Sequence, residues 1–257
     1  MEEKVMAGEK ELHLRHELKY QIDALQYQVL QKKLSMVLKP DPNMEANKPY
    51  NIRNLYFDDF RDTALCEKQA GVPFREKYRI RIYNHSDAVI KFERKTKINQ
   101  YSLKESTRIT RGEADQIIAG NFDFLAKSED HLLRDFYLET RCNLMRPVII
   151  VEYDREAYVH PVGNVRITFD TELRTELGAT SFFDHNICTM GILDHPSIIM
   201  EVKYDEVLPQ YIRGLFPNTI RPPAAFGKFA ICRTQQKCKM GSPAGGALCS
   251  NYGKAPV

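Results

Sequence analysis

Lys77-Tyr78-Arg79-Ile80-Arg81-Ile82 alternates residue by residue between a cation and an apolar side chain. Period-two alternation is the pattern of a β-strand, whose successive side chains point to opposite faces of a sheet. Arg15-His16-Glu17-Leu18-Lys19, Lys91-Phe92-Glu93-Arg94-Lys95, Val165-Arg166-Ile167-Thr168 and Glu201-Val202-Lys203-Tyr204 repeat the pattern. Each strand therefore has a charged face dominated by Lys and Arg and an opposite face of Leu, Ile, Phe or Tyr. If the sheet closes with its charged faces inward, it encloses a tunnel lined with cations. Such a lining is costly when unpartnered, because like charges repel and burial removes their water. A polyanion would relieve that cost.

Outward from these strands, Asp23 and the apolar spacing after it predict a helix to Leu38, with Leu25, Val29, Leu30 and Leu34 on one side and Pro40 and Pro42 ending it. Further strands are expected at Leu12–Tyr20, Asn51–Asp58, Ser102–Ile109, Pro147–Tyr158, Asn164–Asp170 and Pro196–Tyr204, with a short one near Thr180–Phe183. Glu76–Asn84 and Asp87–Thr96 read as a hairpin, since Asn84-His85-Ser86-Asp87 has turn chemistry. Gly112–Lys127 is helical at its start, Leu132–Leu144 is a helix, and Leu208–Leu215 and Phe226–Arg233 are short ones. Residues 1–10 read as a polar leader, 11–234 as one domain, and 235–257 as a disordered tail of small and polar residues. Antiparallel strands with helices inserted between them give an α+β chain whose sheet is expected to close into a barrel, removing its edges.

The chain has 257 residues, 43% of them hydrophobic and 28% charged, enough for a sizeable core. It has no apolar run of transmembrane length and no apolar stretch behind Met1 that would serve as a secretory signal. The expectation is a soluble, cytoplasmic protein. A net charge of +3 argues against a nucleic-acid-coating protein, so the cations must be concentrated locally. The six cysteines form no C-x-x-C pair and no zinc spacing with histidine, and are read as reduced thiols. Neither a Walker loop nor a G-x-G-x-x-G loop is present, so phosphate binding would rest on side chains. No Ser-His-Asp or Cys-His arrangement is supported, and His160 and His195 are read as surface residues or supports behind a site rather than as bases.

On the first strand, Arg15, Glu17 and Lys19 share one face. Arg79 and Arg81 share theirs with Lys77, about 7 Å apart with no carboxylate between them. Arginine's planar fork grips phosphate oxygens in pairs, which points this strand at phosphate. Lys91, Glu93 and Lys95 alternate on the next strand, where Glu93 could simply balance a lysine, and Lys104 follows on its neighbour. Glu201 among so many cations could hold a divalent ion that bridges phosphate oxygens, with Glu17 as a second ligand, or it could balance Lys203.

These segments, in this order, resemble the VTC domain, the catalytic module of polyphosphate polymerases within the triphosphate tunnel metalloenzyme (CYTH-like) superfamily. Arg15-His16-Glu17-Leu18-Lys19-Tyr20 is similar to that family's opening strand, and Arg53-Asn54-Leu55-Tyr56-Phe57-Asp58 to its second. Lys77-Tyr78-Arg79-Ile80-Arg81 resembles the paired-arginine strand, and Lys91-Phe92-Glu93-Arg94-Lys95 its partner. Tyr153-Asp154-Arg155-Glu156-Ala157-Tyr158 and Val165-Arg166-Ile167-Thr168-Phe169-Asp170 resemble the later arginine strands. Met200-Glu201-Val202-Lys203-Tyr204 resembles the metal-binding strand, and Phe226-Gly227-Lys228-Phe229 the closing S-K-F/Y motif, with Gly227 in place of serine. Ala225 stands where eukaryotic polymerases carry a lysine, and Arg15 stands where the wider superfamily has its first glutamate.

The resemblance implies a closed eight-stranded antiparallel β-barrel with helices packed outside, a Mn²⁺ or Mg²⁺ ion, and transfer of the ATP γ-phosphate onto a polyphosphate chain. In that reading Arg79, Arg81, Arg155 and Arg166 clamp phosphates. Lys19, Lys91, Lys203 and Lys228 neutralise developing charge, and Arg15, Lys95 and Lys104 add phosphate contacts. Glu201 and Glu17 hold the metal. Two alternatives stay open: a triphosphate or nucleoside-triphosphate hydrolase of the same fold, and a non-catalytic module that binds polyphosphate or inositol phosphates. Whether Glu152 or Arg155 faces the tunnel is also open, because a one-residue bulge would exchange them.

Overall fold

A computed structural model describes residues 15–45, 48–99, 101–176, 181–192, 198–217, 220–223 and 226–239. The chain opens with β1 (His16–Ile22) and α1 (Ala24–Val37). Asp23 caps α1 through a reciprocal box: its carboxylate accepts from the Gln26 amide at 2.7 Å, and the Gln26 side chain accepts from the Asp23 amide at 3.1 Å. The helix buries Leu30 and Leu34, while Leu25 and Val29, expected on the same side, are 71% and 38% exposed. Neighbouring helical residues lie about 100° apart, and the face carrying Tyr27 and Gln31, which hydrogen-bond Glu156 of the sheet, is the one that docks.

A two-residue β2 (Lys39–Pro40) leads to β3 (Tyr50–Asp58), α2 (Thr63–Ala70), β4 (Phe74–Tyr83), β5 (Ser86–Ile98) and β6 (Tyr101–Ile109). Asn84 and His85 connect β4 to β5 with φ of 49° and 56°, the left-handed pair that matches strand twist in a two-residue hairpin. Helices α3 (Arg111–Ile118) and α4 (His131–Cys142) follow, then β7 (Arg146–His160), β8 (Val165–Glu176), β9 (Met190–Gly191), β10 (Ile198–Tyr204), α5 (Gln210–Arg213) and α6 (Lys228–Lys239). β8 runs past the expected end at Asp170 because Glu172, at φ 51°, forms a bulge that lets pairing with β7 resume at Arg174.

The fold is α+β, and every described strand pairing is antiparallel, in the order β1-β10-β8-β7-β3-β4-β5-β6. Among the described residues the expected closure does not occur: β1 and β6 remain the two edges of a curled sheet. An eight-stranded barrel has room inside for its side chains or one small ligand. Here the concave side also takes α6, whose Phe229, Ala230 and Cys232 pack on Tyr56, Ile149, Val151 and Tyr153, and the sheet stays open around it. Apolar clusters cover the convex side, one under α1 and one where Phe136 of α4 meets Phe57, Tyr78 and Phe92.

Of the expected strand at Thr180–Phe183, Ser181–Phe183 form a turn that buries Phe182, and Thr180 lies outside the described residues. Helix α6 continues to Lys239, five residues into the stretch read as tail, because its buried face extends through Thr234 and Gln236. The leader, the rest of the tail, His195 and Ala225 lie outside the described residues. Cys66, Cys142, Cys188 and Cys232 are free thiols, whereas Cys238 is disulfide-bonded, against the expectation of reduced thiols throughout. No described helix is long and apolar enough to cross a membrane.

Candidate functional site

Strand register decides which charges meet on the concave face. Lys19 lies opposite Glu201 and Glu17 opposite Lys203, while Glu201 and Lys203 lie opposite Thr168 and Arg166. Asp170 opposes Arg155, and Arg79, Arg81 and Lys77 oppose Glu93, Lys91 and Lys95. The alternation read from sequence thus becomes one continuous charged surface.

Three carboxylate-centred groups organise it. In the first, the Glu17 carboxylate accepts from Lys19 at 2.7 Å and from Lys95 at 2.9 Å, and Glu201 pairs with Lys203 at 3.2 Å and with Lys19 at 4.0 Å. The Glu17–Lys95 bond joins β1 to β5 across the gap that the backbone leaves open. Glu17 and Glu201 also interact directly. Burial opposes the charge on Glu201, yet Lys203 and Lys19 hold it well below the usual carboxylate range. Burial and Glu201 push Glu17 up, but Lys19 and Lys95 leave it lowered. Lys19 is raised against the cost of burial by Glu201 and Glu17.

In the second group, Glu93 accepts from Arg79 at 2.6 and 2.7 Å and is ion-paired with Lys104 at 2.5 Å, with Arg81 at 4.0 Å. Arg81 donates to Asn54 at 2.8 Å and to the Tyr153 hydroxyl at 3.3 Å. In the third, Asp170 accepts both Arg155 donors, at 2.7 and 2.8 Å, and Lys228 from the start of α6 at 2.5 Å. Tyr153 sits under Lys228 and Arg155, with ring centroids 4.7 and 5.3 Å away. Burial would raise its phenol, but Arg155 and Arg81 bring it down to about 8.

The structure gathers Lys19, Arg79, Arg81, Lys95, Lys104, Arg155, Lys203, Lys228, Glu17 and Glu201 onto this face. Lys91 is on it too, stacked 5.3 Å over the Tyr83 ring, and Arg166 is held to one side by Asp41 at 2.9 Å and the Tyr50 hydroxyl at 3.1 Å. Arg15 is drawn away: it precedes β1, pairs with Asp205 at 2.9 Å and donates to the Asn164 carbonyl. The open choice on β7 falls to Arg155. Glu152 points to the outer face, where it binds Arg53 at 2.6 Å and Arg174 at 3.1 Å.

Three participants were passed over in the sequence. Asp170 and Tyr153 are visible in the alternation of their strands but are not cations, and a search for cations skips them. Lys77 shares the face of Arg79 and Arg81 but went unassigned. Burial, with Lys68, Arg75, Lys19 and Lys95 nearby, brings it down to about 7.

Among the described residues no group of three or more His, Cys, Asp or Glu could form an all-protein metal cage. Two adjoining carboxylates, Glu17 and Glu201, fit a hard cation that takes its remaining ligands from water and phosphate oxygens.

A family model for the VTC domain matches residues 14–236. The chain belongs to the VTC domain family. This family acts on polyphosphate or triphosphate, by phosphoryl transfer or hydrolysis, with a divalent cation. No curated protein matches the sequence. Solved structures with a similar course include the PH1819 protein of Pyrococcus horikoshii OT3, at 14% identity and a TM-score of 0.45, covering 84% of this chain and 97% of that one. The Mimivirus capping enzyme triphosphatase has 10% identity and a TM-score of 0.38, covering 79% and 89%. A chain of the Schizosaccharomyces pombe Mediator head module has 9% identity and a TM-score of 0.42, covering 79% and 89%.

Proposed function

We propose that this VTC domain transfers the γ-phosphate of ATP onto the end of a polyphosphate chain. The observation that carries this reading is the state of the inner carboxylates. Glu17, Glu93, Asp170 and Glu201 are each ion-paired within 3.2 Å. A carboxylate held by lysine and arginine is a poor proton acceptor, so the face offers little to activate water. A terminal phosphate oxygen is already anionic and needs no base. What such an acceptor needs is charge neutralisation and alignment, which dominate phosphoryl transfer.

In this assignment Arg79, Arg81 and Arg155 grip phosphate oxygens, their positions set by Glu93, Asn54 and Asp170. Arg166 and Lys91 extend the phosphate contacts. Lys19, Lys203 and Lys228 face the charge that builds on the transferred group and on the departing ADP, while Lys95 and Lys104 contact the chain. Glu17 and Glu201 would hold the Mn²⁺ or Mg²⁺, which when bound offsets negative charge on the phosphates.

Incubating the protein with ATP and Mn²⁺, then resolving polyphosphate on gels and assaying free phosphate, tests the proposal. Polyphosphate with matching ADP supports it. Free phosphate without chain growth would move the protein to the hydrolytic alternative, and binding without turnover would make it a polyphosphate-binding module.

A further inference from the structure

Thr168 differs from its neighbours on the concave side of β8. Arg166 and Asp170 flank it, and both are paired, Arg166 with Asp41 and Asp170 with Arg155 and Lys228. Strand register sets Thr168 directly opposite Glu201 on β10 and Ala157 on β7. It is 3% exposed, and its hydroxyl is buried without a hydrogen-bond partner among the described residues. Buried hydroxyls almost always find a partner, because one left alone has given up its water for nothing. Valine has the same shape, suits a strand as well and would avoid that cost. The hydroxyl therefore needs a reason.

Glu201 is the polar group it faces. Directly opposed residues have Cβ atoms about 5 Å apart. Glu201 Oε1 is met by Lys203 at 3.2 Å and by Lys19 at 4.0 Å, whereas Arg155 stays 3.9 Å from Oε2, too far for a hydrogen bond. A hard cation of the Mg²⁺ type takes oxygens at about 2.1 Å, so two that share it lie about 3 Å apart. A carboxylate and a hydroxyl opposed across one strand pair can meet that spacing.

We infer that Thr168 Oγ1 is a third protein oxygen of the divalent-cation site, beside Glu201 and Glu17. The choice of residue type fits the surroundings. Asp170, two residues on, shows what a carboxylate meets on this strand: Arg155 and Lys228 take it up. A hydroxyl carries no charge to attract a lysine or arginine, so it stays available to a metal among cations.

The inference rests on the reading that this face holds a divalent cation, and its test uses binding rather than turnover. Mn²⁺ would be titrated into the metal-free protein, with the free ion followed by electron paramagnetic resonance, for the wild type, Thr168→Val, Thr168→Ser and Glu201→Gln. Thr168→Val should weaken Mn²⁺ roughly tenfold, and Thr168→Ser should stay within about twofold of the wild type. In a Glu201→Gln background, Thr168→Val should change little further. Without metal, Thr168→Val should melt no lower than the wild type, because a methyl replaces a hydroxyl that had no partner. Weaker metal binding without lost stability is a pairing that a structural role does not produce. Unchanged Mn²⁺ affinity in Thr168→Val would overturn the assignment, as would a wild type that takes up no Mn²⁺. A lower melting temperature without metal would also overturn it, by showing that an ordered water already partners the hydroxyl. Tripolyphosphate in metal-free buffer should bind Thr168→Val and the wild type alike, and a loss there would make Thr168 a phosphate contact instead. Thr168→Ala replaces Thr168→Val if that variant fails to fold. A protein with this Mn²⁺ pattern that makes no polyphosphate would end the polymerase reading and leave the ligand in place. A working polymerase whose Mn²⁺ affinity ignores Thr168 would end the ligand alone.

Discussion

Glu93→Gln is the sharpest single perturbation of the concave face. Glu93 is 1% exposed and sits among three cations: Arg79 at 2.6 Å, Lys104 at 2.5 Å and Arg81 at 4.0 Å. Those cations hold the carboxylate far below its usual range, with Arg79 the strongest contributor once the opposing cost of burial is met. Glutamine keeps the shape, removes the charge and turns one oxygen into a donor facing a cation. Removing one partner from a buried ionic group costs about 3–5 kcal/mol. In a domain of this size each kcal/mol lowers the melting temperature by about 2–4 °C, so the variant should melt roughly 6–20 °C below the wild type. Calorimetry or a thermal-shift assay without ligand reads this directly. With tripolyphosphate present, the variant should be stabilised more than the wild type, because the uncompensated cations now attract the anion more strongly. A melting temperature within about 2 °C of the wild type would refute the claim that Glu93 balances the arginine pair.

Glu201→Gln should lower metal-dependent turnover by two orders of magnitude or more, on the order of what is lost when one charge-stabilising group is removed; full activity in steady-state assays would end the metal assignment. Asp170 is ionised down to about 2, because burial is outweighed by Arg155 and Lys228. Against an unfolded value of about 3.9, its folded-state pKa is depressed, so the stability it adds is fully present above about pH 4 and is lost as pH falls toward 2. Denaturant titrations across that window should show a wild-type decline of about 2 kcal/mol that is flattened in Asp170→Asn; parallel curves would contradict the pairing. Arg53→Met, on the outer face, leaves Glu152 without its closest cation and frees the Phe182 and Asp184 carbonyls. It should cost about 3 kcal/mol of stability with polyphosphate affinity unchanged, and a weakened affinity would mean that the outer network shapes the site.

How much could be read in advance depended on how local the signal was. The hairpin of β4 and β5, the cap at Asp23 and the shared face of Lys77, Arg79 and Arg81 follow from neighbours in sequence, and they were legible. The docking face of α1 was not, since Leu25 and Val29 are as apolar as Leu30, and the contacts of Tyr27 and Gln31 with Glu156 and of Tyr27 with Phe169 help select the side. β8 was cut short because a bulge at Glu172 interrupts the alternation that reveals a strand. Closure failed as an expectation because strand alternation does not say whether β1 and β6 pair, and nothing in Lys228–Lys239 states that this helix enters the concave side. Arg15 shows the same limit: it has the right residue type on the right face, and Asn164, between β7 and β8, with Asp205, just after β10, claims it instead.

The physical logic of the site lies in what its carboxylates leave over. Glu17, Glu93, Asp170 and Glu201 each hold two or more cations in place. They fix the geometry of arginines and lysines whose mutual repulsion would otherwise open the sheet. They do not neutralise the face, because among the described residues Lys77 and Lys91 form no salt bridge and rest instead against the Phe229 and Tyr83 rings. A face built to be merely stable would add carboxylates until the charges balanced. This one stops short, and the deficit is spread along a line rather than gathered at a point. A single orthophosphate cannot meet such a line, whereas a chain of phosphates can meet it at every rung. Preference should therefore rise with chain length, and that dependence distinguishes a polyphosphate site from a general anion trap.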